Sequence, residues 1–151
     1  MVTISRLIPL LRALLWLCLL IVSPACVAEL KPFTSDGCSV FPDGTLSEQK
    51  LWLACCTQHD FEYWKGGTYE QRLKSDQKLK SCVAEVGQPE VAAIMLLGVR
   101  VGGSPYLPTE FRWGYGWPYP REYKPLTPEE IAQVKLLAKD YIEQNQLEGI
   151  K

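Results

Sequence analysis

The chain has 151 residues, 47% of them hydrophobic and 22% charged, the size and composition of one folded domain. Its 16 Lys and Arg against 17 Asp and Glu give a formal net charge of −1. A weakly acidic balance argues against nucleic acid as a partner. It also argues against membrane binding by bulk charge, though not by an apolar patch.

Residues 1–28 read as a secretory signal. Arg6 and Arg12 form a positive start, Leu14 to Val22 an apolar run, and Ala25 and Ala28 supply the small residues that follow. Cleavage after Ala28 is expected, with Ala25 as the second choice. Lipidation at Cys26, or an uncleaved membrane anchor through residues 1–28, are the other readings. The protein is therefore expected to be exported, either periplasmic or secreted. Removing 28 of the 151 residues leaves 123, with 14 basic and 17 acidic side chains and a net charge of −3. Cys38, Cys55, Cys56 and Cys82 remain. An even number of cysteines in an oxidising compartment predicts two disulfides. Of the three connectivities, the one bonding the neighbours Cys55 and Cys56 is strained.

Asp36-Gly37, Pro42 and Asp43-Gly44 give residues 29–45 turn chemistry. Thr45-Leu46-Ser47-Glu48 fits a capping box and predicts a helix from Thr45 through His59 to about Lys65, ended by Gly66-Gly67. Thr68-Tyr69-Glu70-Gln71 is a second capping box. The helix it opens runs to about Val86, before Gly87 and Pro89. So short a connection makes the two helices antiparallel. Tyr69, Leu73, Leu79, Val83 and Val86 form the apolar stripe of the second helix, and Asp76 falls within it. A buried carboxylate needs a partner. It is either bonded to backbone or it orients His59, which lies at a comparable depth from the turn.

Glu90 to Val101 is an apolar third helix, too short to span a bilayer and expected to be buried rather than interfacial. Gly102 to Pro125 carries seven aromatics and five prolines. Such rings suit a membrane interface or lid. An irregular loop wrapped over a helical core suits them too, and is the favoured reading. Trp64, Trp113 and Trp117 are candidate substrate or interface residues. Thr127-Pro128-Glu129-Glu130 opens a last helix whose packing face is Ile131, Val134, Ala138, Tyr141 and Ile142. The expected fold is all-α. A disulfide-linked antiparallel helix pair is joined by further helices and an aromatic, Pro-rich irregular segment. One domain covers 29–151, with its core at 36–87 and a C-terminal extension at 88–151.

The chemistry centres on the only histidine of the chain. On a helix His59 shares a face with Cys55, Cys56 and Tyr63, while Asp60 points about 100° away. This is a candidate general base beside a candidate metal ligand. Oxidised cysteines and a single His make a poor zinc site.

Cys55-Cys56-x-x-His59-Asp60, with Tyr63 four residues after the histidine and Asp76 six residues before Cys82, resembles the secreted phospholipase A2 family. The resemblance covers about residues 36–86 and looks like a pared-down, bacterial-type member. It implies disulfides Cys38–Cys56 and Cys55–Cys82. It implies that His59 is the general base toward a water, that Asp76 fixes its tautomer, and that Tyr63 bonds Asp76. It also implies that Asp60 binds Ca²⁺, a hard cation that takes oxygen ligands, with carbonyls of the loop at Gly37, Ser39 and Phe41. The implied activity is Ca²⁺-dependent hydrolysis of the sn-2 ester of glycerophospholipids, acting on phospholipid aggregates or a membrane surface. The alternative is a non-catalytic lipid- or protein-binding relative. The chain departs from the family pattern in having Ser39-Val40-Phe41 after Cys38 where glycines alternate, and Gly66-Gly67 where many members have a long hairpin.

Overall fold

Residues 28–148 are described by the computed structural model, so the expected signal segment lies outside the described residues except for Ala28. Among the described residues the chain is all-α: α1 is Leu53–Lys65, α2 Tyr69–Glu85, α3 Pro89–Gly102 and α4 Pro128–Glu148. None of these helices is long and apolar enough to cross a membrane.

Two of the three predicted capping boxes start helices. Thr68 Oγ1 accepts from Gln71 N at 3.3 Å while Gln71 Oε1 accepts from Thr68 N at 2.7 Å. At α4, Thr127 Oγ1 accepts from Glu130 N at 3.2 Å and Glu130 Oε2 from Thr127 N at 3.0 Å. The third does not start a helix. Thr45 Oγ1 does accept from Glu48 N, at 3.0 Å, but Thr45 N donates back to Glu48 O and the chain closes as a turn. The cause lies at Trp52, which is 3% exposed. Its indole N–H donates to Pro42 O at 2.6 Å and its backbone N–H to Asp43 O at 3.0 Å. These bonds fold 42–51 back on itself, so α1 begins at Leu53, eight residues later than Thr45.

Two disulfides fasten α1 from both sides of its N-terminal turns. Cys38–Cys56 ties the preceding loop to it, and Cys55–Cys82 ties it to α2, the pairing that the family resemblance implies. They close 18- and 27-residue separations, each worth about 3 kcal/mol on chain-entropy grounds. Around them Trp52, Leu79, Val83, Ala92 and Met95 form one apolar cluster, with α1 packed on α2 and α2 on α3.

The aromatic segment wraps the core. A helix leaves its last four carbonyls without intrahelical partners, and here each is taken. Glu62 O accepts from Gly66 N, Tyr63 O from Gly114 N, Trp64 O from Gly116 N, and Lys65 O from the Trp117 indole N–H at 2.8 Å. Gly114 and Gly66 permit this because their backbones touch: a Cβ on Gly66 would meet Gly114 Cα at 3.0 Å. Leu30, Phe33, Trp64, Trp117 and Val134 make a second cluster, through which α4 joins the rest.

Three expectations are corrected. Trp64, Trp113 and Trp117, taken as substrate or interface residues, are 0–1% exposed, and their N–H groups donate to Lys31 O, Gly67 O and Lys65 O. They are core residues, and Trp117 also caps the last carbonyl of α1. The third helix, expected to be buried, hides only Ala92 and Met95 and exposes Ile94, Leu97 and Val101, because α2 covers one side of it alone. Tyr69 and Val86 lie outside the buried stripe of α2, where Arg72, Ser75 and Asp76 are buried instead.

Candidate active site

His59, Tyr63 and Asp76 meet in the interior between α1 and α2. His59 Nε2 lies 3.0 Å from Asp76 Oδ1, and the Tyr63 hydroxyl donates to the same oxygen at 2.7 Å. His59 is 7% exposed, Tyr63 3% and Asp76 0%. A carboxylate oxygen accepting from His59 assigns the ring proton to Nε2 and leaves Nδ1 as the basic nitrogen. Burial and the negative charge of Asp76 push the Tyr63 hydroxyl far up, so it stays a donor.

Asp76 also has cationic company that the sequence reading did not assign. Arg100 Nε lies 2.8 Å from Asp76 Oδ2, an ion contact without hydrogen-bond alignment. Arg72 Nε donates to the Tyr63 hydroxyl at 3.1 Å and stands 3.9 Å from Asp76 Oδ2. Arg72 further donates to Tyr123 Oη and to the carbonyls of Val99 and Arg100. Arg100 returns a bond to Leu73 O at 3.0 Å. Two guanidiniums and a phenol thus tie α2, α3 and the aromatic segment to one buried carboxylate. Arg72 was legible in principle, since it lies four residues before Asp76 on the same helix face. Arg100 and Tyr123 carried no local signal. The helix crossing alone brings them in.

The space beside His59 is small. A cavity of about 10 Å³ is bordered by His59, Gln58, Ser75 and the Cys55–Cys82 bridge. That volume is about the minimum that holds one water. The Ser75 hydroxyl is buried there without a hydrogen-bond partner among the described residues.

Asp60 faces another direction, toward the loop that precedes α1. Ser35 Oγ donates to Asp60 Oδ2 at 2.6 Å and accepts from Gly37 N at 3.2 Å, so one hydroxyl links loop and helix. Burial pushes the Asp60 carboxyl up to about 7, against the Ser35 hydrogen bond and with help from the charges of Asp36 and Asp43. No Lys or Arg pairs with it among the described residues. Gly37 and Ser39 both have positive φ, +79° and +57°. Ser39 therefore adopts the left-handed conformation where a glycine would be unstrained. Asp43 Oδ1 accepts from Cys38 N at 2.9 Å, which staples the loop from inside. Of the loop residues proposed as carbonyl donors, Gly37 is tied to Asp60 through Ser35. Ser39 bonds Asp36, and the Phe41 ring packs on the core beside Trp52.

The donor chemistry fits a hard cation. It offers a desolvated carboxylate with no cationic partner, the Ser35 hydroxyl on it and two further carboxylates in its field. Among the described residues no three His, Cys, Asp or Glu side chains group as a metal cage. A Ca²⁺ at Asp60 would take its other ligands from loop carbonyls and water. In comparisons with known proteins, the chain matches no family model, no curated protein and no solved structure.

Proposed function

We propose that the protein is an exported, Ca²⁺-dependent hydrolase of the sn-2 ester of glycerophospholipids. The observation that carries this reading is the shared Asp76 Oδ1. It accepts from His59 Nε2 and Tyr63 Oη inside a helix pair bolted at adjacent cysteines.

His59 acts as general base through Nδ1, taking a proton from the water that attacks the ester carbonyl. Asp76 holds the ring in the needed tautomer and offsets the imidazolium charge as it forms. Tyr63 and the two arginines keep Asp76 in place within a buried site, where reorientation would otherwise cost catalytic geometry. Asp60, with the Gly37 turn, would hold the Ca²⁺, which supplies phosphate binding and polarisation of the carbonyl oxygen. The two disulfides and the capped end of α1 fix His59 and Asp60 on one rigid helix. Export agrees with two disulfides, which form in oxidising compartments.

A second reading is a non-catalytic lipid- or protein-binding relative. The observation that favours it is the narrow space beside His59, about 10 Å³. One assay separates the two: fatty-acid release from mixed phospholipid micelles with Ca²⁺, with a chelator, and with His59→Ala. Release that needs both Ca²⁺ and His59 is expected. Release needing His59 but not Ca²⁺ removes the metal. No release from several head groups by a folded protein removes the hydrolase and leaves the binding module.

A further inference from the structure

α1 has a second working face, turned away from Asp76. Leu53, Ala54, Thr57, Gln58 and Phe61 follow the i, i+3, i+4 spacing of one helix stripe, about 12 Å long at 1.5 Å per residue. α4 does not close against this stripe at helix-to-helix distance. Phe33 stands between the two helices, stacked edge-on against both Phe61 and Tyr141 at 5.4 and 4.7 Å. The result is an open groove of about 680 Å³, with Ala138, Tyr141 and Ile142 of α4 as its far wall.

That volume lies within the range of small-molecule sites, and walls of apolar side chains with few polar groups are their usual composition. Its α1 wall runs about 12 Å from Leu53 to Phe61, which suits a linear chain laid along the helix. Its only ionised lining residue is Lys50, one turn before Leu53 and hence at one end of the stripe. Lys50 has no ion-pair partner among the described residues. A single cation at one end of an apolar trough is the complement of a single-chain amphiphile with an anionic head.

We propose that this groove binds one long-chain fatty-acid carboxylate, with its head at Lys50 and its chain along Leu53 to Phe61 under α4. The site is separate from the His59 dyad, with Gln58 alone bordering both cavities. It does not depend on the hydrolytic reading. A chain with no esterase activity would still bind.

The test is calorimetric titration of the full chain with octanoate, decanoate and dodecanoate below their micelle concentrations, in chelator. One-to-one binding is expected, tightening about three- to fourfold for each added methylene. Ala54→Trp and Ala138→Trp each fill the trough from a different wall, and both should weaken dodecanoate at least tenfold while circular dichroism stays unchanged. Lys50→Gln should weaken dodecanoate several-fold and leave neutral dodecanol unaffected. His59→Gln should bind dodecanoate like the parent, whatever it does to ester hydrolysis. The proposal is overturned by the absence of saturable binding, by affinity independent of chain length, or by binding that survives both tryptophan fillings. Equal response of dodecanoate and dodecanol to Lys50→Gln overturns the anionic head. Sedimentation showing a dimer that either tryptophan variant splits would make a second copy of the chain the occupant instead.

Discussion

The contact between Arg100 and Asp76 is the most exacting test of how this site is held together. Asp76→Asn keeps the side-chain volume and removes the charge from a residue with no exposed surface. Its Oδ1 would still accept from Tyr63 and His59, but an amide N–H₂ would face the Arg100 guanidinium, donor against donor. Breaking a fully buried ion pair by removing one partner costs about 3–5 kcal/mol. Arg100 is 34% exposed and keeps its bond to Leu73 O, so water carries part of its charge. The expected loss is about 2–3 kcal/mol. Arg100→Met should cost a similar amount, because Asp76 is then left with two neutral donors and Arg72 at 3.9 Å. The double variant removes both charges together, and the cycle should return a coupling of about 1.5 kcal/mol or more. Urea unfolding with the disulfides intact measures it, as a shift in midpoint at constant slope. A coupling below about 0.5 kcal/mol would refute the reasoning. It would mean that solvent replaces this contact and that α3 is held to the dyad by apolar packing alone.

Three further outcomes follow from particular contacts. A Cβ on Gly103 would sit 2.5 Å from the Tyr63 hydroxyl and 2.7 Å from Val99 O. Gly103→Ala should therefore cost about 1–3 kcal/mol by overpacking and lower the proposed ester hydrolysis by displacing Tyr63, whereas Gly98→Ala, which meets nothing inside α3, should stabilise by about 0.5–1 kcal/mol. The Asp60 carboxyl is raised to about 7 from 3.8. In chelator the folded state thus keeps a proton that the unfolded chain has already released. Melting temperature should fall as pH rises from about 4 to 7 and level off above, the sign expected when the native state binds more protons. Asp60→Asn should flatten that slope, and an unchanged slope would remove Asp60 as its source. Arg121 grips Glu130 with two bonds of 2.6 and 3.0 Å and covers the Trp117 ring at 4.7 Å. Arg121→Ala should cost about 3 kcal/mol and speed amide exchange in the first turn of α4. Exchange equal to the parent there would show that the capping box holds that turn unaided.

Much of the candidate site was legible in the sequence because it sits on two neighbouring helices. Helical spacing fixes which of Cys55, Cys56, His59 and Tyr63 share a face. The Gly66-Gly67 break and the Thr68 capping box then set the depth at which Asp76 meets them. The Asp60 surroundings were half legible. Gly37 and its turn could be read, but the Ser35 hydroxyl bridge could not, because nothing in local spacing joins residues 35 and 60.

Elements with a local cause could be read from the chain alone. These are the caps at Thr68 and Thr127, the glycine stop after Lys65, the antiparallel pairing of α1 and α2, and the face on which His59 stands. Tertiary structure decided whatever depended on competition between distant groups. The Thr45 box lost its helix because Trp52 found acceptors at Pro42 and Asp43. The three tryptophans became core because each indole N–H found a backbone carbonyl inside the fold, at Lys31, Gly67 and Lys65. Arg100 reached Asp76, and α4 stood off α1 to leave a groove, only through how whole helices lie against one another. A capping signal acts within one turn of chain, whereas burial and charge pairing are settled by which surfaces meet.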